Sequence, residues 1–219
     1  MNARHPIPST RLHRRASTQF HPEPATISGR VCDEGASDIV FVIDGSTSIG
    51  DDNFQLLRQF LVAVVDDLPN NTHFAAVQFS GSPKSEFSFK SYGGDKESVL
   101  RHFKTLNYKK GTTRLGRALE FVIDNELTEA AGNRLHVDDV IMVITDGRSI
   151  DDPQKAAQRL RRRGAKTVAI GVTDLVDDEQ LLSIGGDERS VFKIDDFNKL
   201  DREFRKNLLT ETACRLVPA

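Results

Sequence analysis

Ser37-Asp-Ile-Val-Phe-Val-Ile43 is the stretch of sequence that decides the fold, and Asp44-Gly-Ser-Thr-Ser48 follows it directly. The unbroken apolar block at 39–43 is typical of a strand that is buried on both faces of a parallel sheet. The five residues after it are acidic, hydroxyl-bearing or glycine. The sequence therefore predicts a central strand whose carboxyl end opens into a polar loop.

Segments with strand and helix patterns alternate along the rest of the chain. Apolar residues spaced three and four apart between Phe54 and Leu68 predict an amphipathic helix, with Asp51 and Asp52 in its first turn. Further strands are predicted at 72–79, 85–90, 137–145, 166–172 and 191–194, and further helices at 97–106, from 113, at 153–163, 178–184 and 198–209. This alternation predicts an α/β fold with a doubly wound, mostly parallel central sheet, helices on both faces and one antiparallel edge strand.

Length and charge limit the classes of protein to consider. The 219 residues are 38% hydrophobic and 28% charged, which is typical of a globular domain, and no apolar run is long enough to cross a membrane. Residues 1–30 carry five arginines and one glutamate, so the remaining 189 residues hold 25 basic and 31 acidic side chains. A domain with this excess of acid is not expected to bind nucleic acid, because that affinity depends on neutralising phosphates.

The two ends of the chain differ from its centre in composition. Residues 1–31 contain four of the eight prolines and show no apolar periodicity, so they are predicted to be a disordered tail or a linker. They also lack the apolar core of a secretory signal, and we interpret the chain as a fragment or as having an incomplete start. The domain itself is predicted to span residues 32–214, and 215–219 are predicted to be a C-terminal tail.

Polar residues at three predicted loops form the candidate site. Asp44, Ser46 and Ser48 follow the first strand, Asp146 follows the strand at 137–145, and Thr113 precedes a helix. Ligands of such sheets bind at the carboxyl ends of the strands, so the five side chains are expected to lie together. Oxygen donors with few charges favour Mg²⁺, or alternatively Mn²⁺ or Ca²⁺, over zinc. Taken one loop at a time, such residues are more typical of helix caps, but all three loops together at one end of the sheet favour a binding site.

These residues carry a resemblance to a known family. Asp44-x-Ser46-x-Ser48, then Thr113, then Asp146 in Thr-Asp-Gly, is similar in all five positions to the metal-ion-dependent adhesion site of von Willebrand factor type A domains. The resemblance extends over the whole of the predicted domain and includes the stretches 37–46, 78–83, 143–149 and 169–172. It is greatest to the extracellular-matrix members found in fibril-associated collagens, matrilins and cochlin-like proteins. Leu115 stands where many relatives have a second threonine, a position that is not a metal ligand in the family.

The resemblance implies roles for the site residues. Ser46 and Ser48 would bind the metal directly, Thr113 directly or through water, and Asp44 and Asp146 mostly through water. A Mg²⁺ ion held this way keeps exchangeable water, which an acidic residue of a partner can replace. The family therefore implies a non-enzymatic, extracellular adhesion module that binds a matrix protein such as collagen or another matrix glycoprotein.

Two further features bear on the compartment. The only cysteines, Cys32 and Cys214, bracket the domain as in matrix A domains, so a disulfide between them is expected. The alternative is two unpaired thiols in a cytosolic protein. Asn70, in Asn-Asn-Thr, is a possible N-glycosylation site in a predicted turn. Both features favour a secreted, extracellular protein.

The densest basic run consists of Arg159, Arg161, Arg162, Arg163 and Lys166. Cations in the last turn of a helix stabilise it through the helix dipole, and this is the simpler interpretation. The alternative is a patch for a heparin-like glycosaminoglycan, because clustered arginine matches the geometry of sulfate groups.

Two other function classes share parts of this pattern. In a Mg²⁺-dependent phosphohydrolase, Asp44 would attack phosphorus and Asp146 would hold the metal. The sequence disfavours this enzyme because Ser46 stands where the second carboxylate is usual, and no phosphate-binding glycine loop is present. An intracellular A domain that acts as a scaffold would have the same metal site without a disulfide.

Overall fold

The chain forms eight strands and seven α-helices within residues 27–32 and 36–218, the part that the computed structural model describes. The strands are β1 (Ile27–Cys32), β2 (Ser37–Asp44), β3 (His73–Phe79), β4 (Pro83–Phe87), β5 (Asp138–Thr145), β6 (Lys166–Val172), β7 (Val191–Ile194) and β8 (Cys214–Pro218). The helices are α1 (Asp51–Asp67), α2 (Phe89–Tyr92), α3 (Lys96–Lys104), α4 (Leu115–Phe121), α5 (Gln154–Arg162), α6 (Asp178–Gly185) and α7 (Arg202–Ala213). A π-helical turn (Val122–Glu126) extends α4, and 3-10 turns lie at Glu129–Ala131, Glu188–Ser190 and Phe197–Lys199.

Six of the strands form one twisted sheet in the order β4-β3-β2-β5-β6-β7. Every neighbouring pair is parallel except β3 and β4, so the predicted fold with one antiparallel edge strand is confirmed. The edge strand is β4 and ends at Phe87, earlier than the predicted 85–90. The reason is local, because Ser88 and Ser91 exchange the hydrogen bonds of a capping box and start α2.

The central strand β2 is covered on both faces. Ile39, Phe41 and Ile43 pack in one hydrophobic cluster with residues of α1, α3 and α7. Val40 and Val42, which point to the opposite face, pack in a second cluster with residues of α4, α5 and α6. No helix in the described residues is long and apolar enough to cross a membrane.

The order of the strands places a switch point at the carboxyl end of β2. From β2 the chain runs to β3 and β4 on one side, and it then returns to form β5 on the other side of β2. The loops that leave β2 and β5 therefore diverge to opposite sides of the sheet. Between them they leave a crevice, which is where ligands bind in doubly wound folds.

The amino ends of the central strands, at the opposite end of the sheet from the crevice, are held by a buried ion pair. Asp38, whose side chain is fully buried, accepts hydrogen bonds of 2.7 Å from both the main-chain N and the Nε of Arg134. The same guanidinium donates to the carbonyl oxygens of Ser37 (2.8 Å) and Asn71 (3.1 Å). This one side chain therefore joins the start of β2 to the loops that precede β3 and β5.

The two ends of the described chain pair with each other. β1 and β8 form an antiparallel ribbon in which Ile27 lies opposite Pro218 and Cys32 lies opposite Cys214. Strand residues therefore lie beyond both predicted domain boundaries, 32 and 214, and residues 1–26 are outside the described part. Directly opposed residues of such a pair have Cα atoms about 4.5–5.5 Å apart, within the range that a disulfide requires. The Cys32–Cys214 bridge remains a prediction.

Candidate functional site

The loop after β2 is anchored by the first of the predicted site residues. Asp44 is fully buried, and its Oδ1 accepts a 2.8 Å hydrogen bond from the main-chain N of Ser46. Its Oδ2 accepts a 2.6 Å hydrogen bond from the hydroxyl of Thr145, the last residue of β5. The Asp44 carboxylate therefore lies across the crevice between β2 and β5.

The second carboxylate lies beside two serine hydroxyls. Asp146 Oδ1 accepts hydrogen bonds from Ser48 Oγ at 3.0 Å and from Ser46 Oγ at 3.5 Å. The two serine Oγ atoms are 3.0 Å apart. The main chain of Asp146 is held in turn by Thr173 Oγ1, which donates to its carbonyl oxygen at 3.0 Å. Four of the five predicted site residues thus belong to one cluster of side-chain oxygens.

The fifth predicted residue, Thr113, is brought to this edge by its main chain. Gly111 and Thr47 exchange two hydrogen bonds of 2.9 Å, which join the Thr113 loop to the loop after β2. The carbonyl oxygen of Thr113 accepts a 3.0 Å hydrogen bond from the N–H of Ile150, in the loop after β5. The three predicted loops therefore meet at one edge.

Burial perturbs both carboxylates of the cluster. Desolvation raises the pKa of Asp44 from 3.8 to about 6, although hydrogen bonds from Ser46 and Thr145 act in the opposite direction. Desolvation likewise raises the pKa of Asp146 above its ordinary value. Neither carboxylate forms an ion pair with a described residue. The site therefore carries negative charge that nothing in the described chain neutralises.

The donor set fits a hard divalent cation. The described residues contain no group of three or more His, Cys, Asp or Glu side chains placed to hold a metal, so a soft or nitrogen-rich site is not present among them. The cluster instead offers two carboxylates and at least two hydroxyls, which are the ligands that suit Mg²⁺. Ser48 is exposed whereas Asp44 and Ser46 are buried, so the cluster opens to solvent on the Ser48 side.

Two residues that the sequence analysis missed hold the loop after β2, one directly and the other through the 107–109 loop. Tyr108 donates its hydroxyl hydrogen to the carbonyl oxygen of Ser46 (2.5 Å), accepts from the N–H of Gly50 (3.0 Å) and stacks on Phe54. Gln78 donates to a carbonyl oxygen and accepts from an N–H of the 107–109 loop, at 2.7 and 2.9 Å. Gln78 has a signal, because it is a polar residue in an apolar strand. Tyr108 lies in a loop and follows no pattern.

Two further missed residues position the helix that follows Thr113. Ser149 Oγ accepts from the N–H of Leu115 at 2.8 Å. The carboxylate of Asp151 accepts from the N–H groups of Gly116 and Arg117 at 2.8 and 3.0 Å. Burial tends to raise the pKa of Asp151, but these bonds and one from Ser149 outweigh it and hold that pKa below its ordinary value. The Asp146 loop therefore caps α4 and sets its distance from the site.

Gly45→Ala is expected to lower the free energy of unfolding by about 1–3 kcal/mol, because a Cβ there has no room. It would overlap Gln78 Oε1 and lie 2.9 Å from the Cδ and Cγ atoms of that buried side chain. Gly147→Ala is the matched control, since nothing lies within 4 Å of its added Cβ and a change below about 0.5 kcal/mol is expected. Urea unfolding of both variants measures the difference, and equal stabilities would contradict the steric argument.

The basic run does not present its cations together. Arg161 donates to carbonyl oxygens at the end of α6, Arg163 to carbonyl oxygens in and just after the π-helical turn, and Lys166 to carbonyl oxygens near the end of α7. Arg159 pairs with acidic side chains of α4 and the π-helical turn, while Arg162 is exposed. The contacts favour the structural interpretation over a glycosaminoglycan patch. Asn70, the possible N-glycosylation site, is exposed in the turn after α1, as an asparagine that receives a glycan needs to be.

Comparison with known proteins identifies relatives of this chain. The family model "von Willebrand factor type A domain" matches residues 38–207. The collagen alpha-1(XII) chain of Notophthalmus viridescens is 32% identical over 200 residues, which are 89% of this chain and 21% of that one. Human matrilin-1 is 36% identical over 156 residues, which are 68% of this chain and 31% of matrilin-1. The chain thus corresponds to less than a third of each of these relatives.

Similar folds occur among solved structures. Proximal thread matrix protein 1 from the mussel byssus has a TM-score of 0.76 and 27% identity, over 87% of this chain and 49% of that one. A second structure of the mussel protein is described as having a "zinc occupied MIDAS motif", where MIDAS is the metal-ion-dependent adhesion site. It also has a TM-score of 0.76, but at 24% identity over 83% of this chain and 49% of that one it establishes a shared fold alone.

Proposed function

Because this chain belongs to the von Willebrand factor type A domain family, we propose that it is a protein-binding module without enzymatic activity that works outside the cell. In this proposal Asp44, Ser46, Ser48, Thr113 and Asp146 hold a divalent cation, with Mg²⁺ as the resident ion. The partner is an acidic residue of an extracellular-matrix protein, such as a collagen or another matrix glycoprotein.

The observation that carries the proposal is the cluster of Ser46, Ser48 and Asp146 oxygens, which are 3.0–3.5 Å from one another. Such a set has the size and chemistry of half a coordination sphere for a hard cation. When bound, the cation would supply an open coordination position for a carboxylate of the partner. The buried carboxylates supply the negative charge that holds the cation. The hydroxyls are neutral ligands, so the positive charge of the cation stays only partly neutralised.

Exposed apolar side chains beside the cluster favour a protein as the partner. Ile150 and Leu175 are 63% and 69% exposed. The N–H of Ile150 donates a hydrogen bond to the carbonyl oxygen of Thr113. The N–H of Leu175 donates to Thr173 Oγ1, which in turn donates to the carbonyl oxygen of Asp146. Both therefore border the loops of the site. Exposed apolar groups next to a charged centre are typical of an interface that buries a partner around one anchoring contact.

Metal titration tests the proposal. Mg²⁺ at about 100 times its dissociation constant is expected to stabilise the wild-type chain by about 2.7 kcal/mol, which raises its melting temperature. Asp146→Ala is expected to abolish this stabilisation, and Ser48→Ala to weaken Mg²⁺ binding by at least about tenfold. Calorimetry and thermal unfolding, with Mn²⁺, Ca²⁺ and Zn²⁺ as further ions, measure both effects.

The matched control is Asp174→Ala. Asp174 is an exposed acidic residue at the same edge of the sheet, next to Thr173, and it lies outside the oxygen cluster. This variant is expected to bind Mg²⁺ like the wild type. Failure of the wild type to bind any of the four ions, or an equal loss of binding in Asp174→Ala, would contradict the metal site.

A further inference from the structure

A second surface with the character of a binding site lies between α1 and α3. It is a cavity of about 380 Å³ lined by Gln55, Arg58, Gln59, Val62 and Lys104, and we name it the α1–α3 groove. Its lining holds two cations, two amide side chains and one apolar side chain. It contains no carboxylate, so its charge is positive in a domain whose overall charge is negative.

Arg58 is the least satisfied polar group of the groove. Its guanidinium lies over the ring of Phe54, with Cζ 5.1 Å from the ring centroid. Its Nε is buried and has no hydrogen-bond partner among the described residues. A buried donor without an acceptor is unfavourable, so a shift of the Arg58 side chain that brings Nε to an acceptor lowers its free energy. Neither Arg58 nor Lys104 forms an ion pair with any described side chain.

The chemistry of the groove selects a carboxylate on a peptide. The two Nη groups of an arginine form a fork that matches the two oxygens of a carboxylate, and Lys104 adds a second positive charge. Gln55 and Gln59 offer both donors and acceptors, which match the main chain of a peptide. A sulfated polysaccharide is disfavoured because the exposed carboxylates of Asp52 and Asp66, at the two ends of α1, repel a continuous polyanion. Their neighbours Asp51 and Asp67 are paired with Lys110 and Arg205.

A continuous contact chain links the groove to the candidate metal site. The ring of Phe54 lies between the Arg58 guanidinium and the ring of Tyr108, which is 4.4 Å away. The Tyr108 hydroxyl in turn donates to the carbonyl oxygen of Ser46. Asp51 is the first residue of α1 and marks the end of the helix that adjoins the loop after β2. Arg58 lies about 10 Å from Asp51 along α1, at about 1.5 Å per residue. An extended peptide covers this distance with about three residues.

We infer that the α1–α3 groove binds a second acidic residue of the partner segment whose first acidic residue occupies the metal site. This inference rests on the proposed function. The two acidic residues stand about three to five positions apart in an extended segment. A partner with this spacing is selected over one with a single acidic residue, so Arg58 and Lys104 determine specificity.

The test uses the full chain and two synthetic glycine-proline peptides. One carries two glutamates four positions apart, and the other has the second glutamate replaced by glutamine. In Mg²⁺, the wild type is expected to bind the two-glutamate peptide at least about tenfold more tightly, and its Arg58 Nε–H resonance is expected to shift in ¹⁵N NMR spectra. In Arg58→Gln and Lys104→Gln the preference is expected to fall towards one, while Arg189→Gln, a change of an exposed arginine elsewhere, keeps it.

The outcomes separate the groove from the metal site. If the Arg58 resonance shifts at the same peptide concentrations in Mg²⁺ and in EDTA, the groove binds acidic peptides without the metal site, which contradicts the two-site arrangement. No shift of this resonance with up to 10 mM two-glutamate peptide in either condition would overturn the inference. The inference would also be overturned if Arg58→Gln preferred the two-glutamate peptide as strongly as the wild type does. A heparin oligosaccharide that shifts the resonance at lower concentration than the peptide would likewise overturn the choice of a peptide partner.

Discussion

Replacing Arg134 by alanine is expected to lower the free energy of unfolding by about 3–5 kcal/mol, which is a large part of the stability of a typical domain. The reason is that Asp38, with no exposed surface, would lose the guanidinium with which it pairs. The variant also removes the donors to the carbonyl oxygens of Ser37 and Asn71. Urea unfolding measures the change, and an unchanged slope of the transition would mean that the shift of its midpoint reports a change in stability.

The matched control for this prediction is Arg189→Ala. Arg189 also pairs with an aspartate, Asp187, at 3.7 Å, but the two side chains are 74% and 54% exposed. Water and salt screen such a pair, and its removal is expected to cost less than about 1 kcal/mol. If Arg134→Ala costs as little as Arg189→Ala, then the burial of Asp38 does not have the energetic role given to it here.

Asp44→Asn is expected to make the metal-free protein more stable at neutral pH, by about 2–3 kcal/mol, while it removes the stabilisation by Mg²⁺. A pKa shift from 3.8 to about 6 corresponds to about 3 kcal/mol of unfavourable ionisation in the folded state. Asparagine has the same shape and still accepts from the N–H of Ser46, so little packing is lost. The site would thus be a place where stability is given up for binding.

The pH dependence of this effect has a definite sign. The pKa of Asp44 is higher in the folded than in the unfolded protein, so the folded state binds more protons and the stability falls as pH rises from about 4 to about 6. The loss becomes constant above about pH 7, where Asp44 is fully ionised in the folded state as well. The difference in stability between wild type and Asp44→Asn, both in EDTA, is therefore expected to be small at pH 4 and to reach its full value near pH 7.

Thermal and urea unfolding in EDTA, repeated in saturating Mg²⁺, measure both parts of this prediction. Groups far from Asp44 titrate equally in the two proteins, so the difference between the two curves reports on Asp44 and on Asp146, whose charge interacts with it. A variant that is less stable than the wild type throughout pH 4–7 would show that the hydrogen bond from Thr145 outweighs the cost of the buried charge.

The parts of the fold that could be predicted are those encoded by neighbouring residues. The apolar block at 39–43 is buried on both faces because its side chains have no polar alternative, and the helix spacing between Phe54 and Leu68 is equally local. The site residue Asp44 ends β2 and Asp146 directly follows β5, its neighbour in the sheet, so the strand pattern and the switch-point rule bring them together.

The parts that could not be predicted depend on contacts between distant residues. Tyr108 holds the carbonyl oxygen of Ser46 from 62 positions away, and nothing in its own neighbourhood indicates this. The pairing of β1 with β8 joins the two ends of the described chain, and neither strand has a pattern that requires a sheet. The basic run was ambiguous because a charge count does not say whether a cation meets a carbonyl oxygen or water. Arg161 and Arg163 meet carbonyl oxygens.

The ribbon of β1 and β8 has a mechanical consequence. Its outer pair is Ile27 and Pro218, so a force that pulls these two residues apart opens the ribbon one pair at a time and does not shear it. The opening reaches Cys32 and Cys214 last, and a disulfide there would stop it. The ribbon continues from α7, whose end is held by Lys166 at the amino edge of β6, opposite the candidate site. Tension between the two ends of the described chain would then bypass the crevice at the carboxyl end of β2, and the oxygen cluster there would keep its geometry while the ribbon opens.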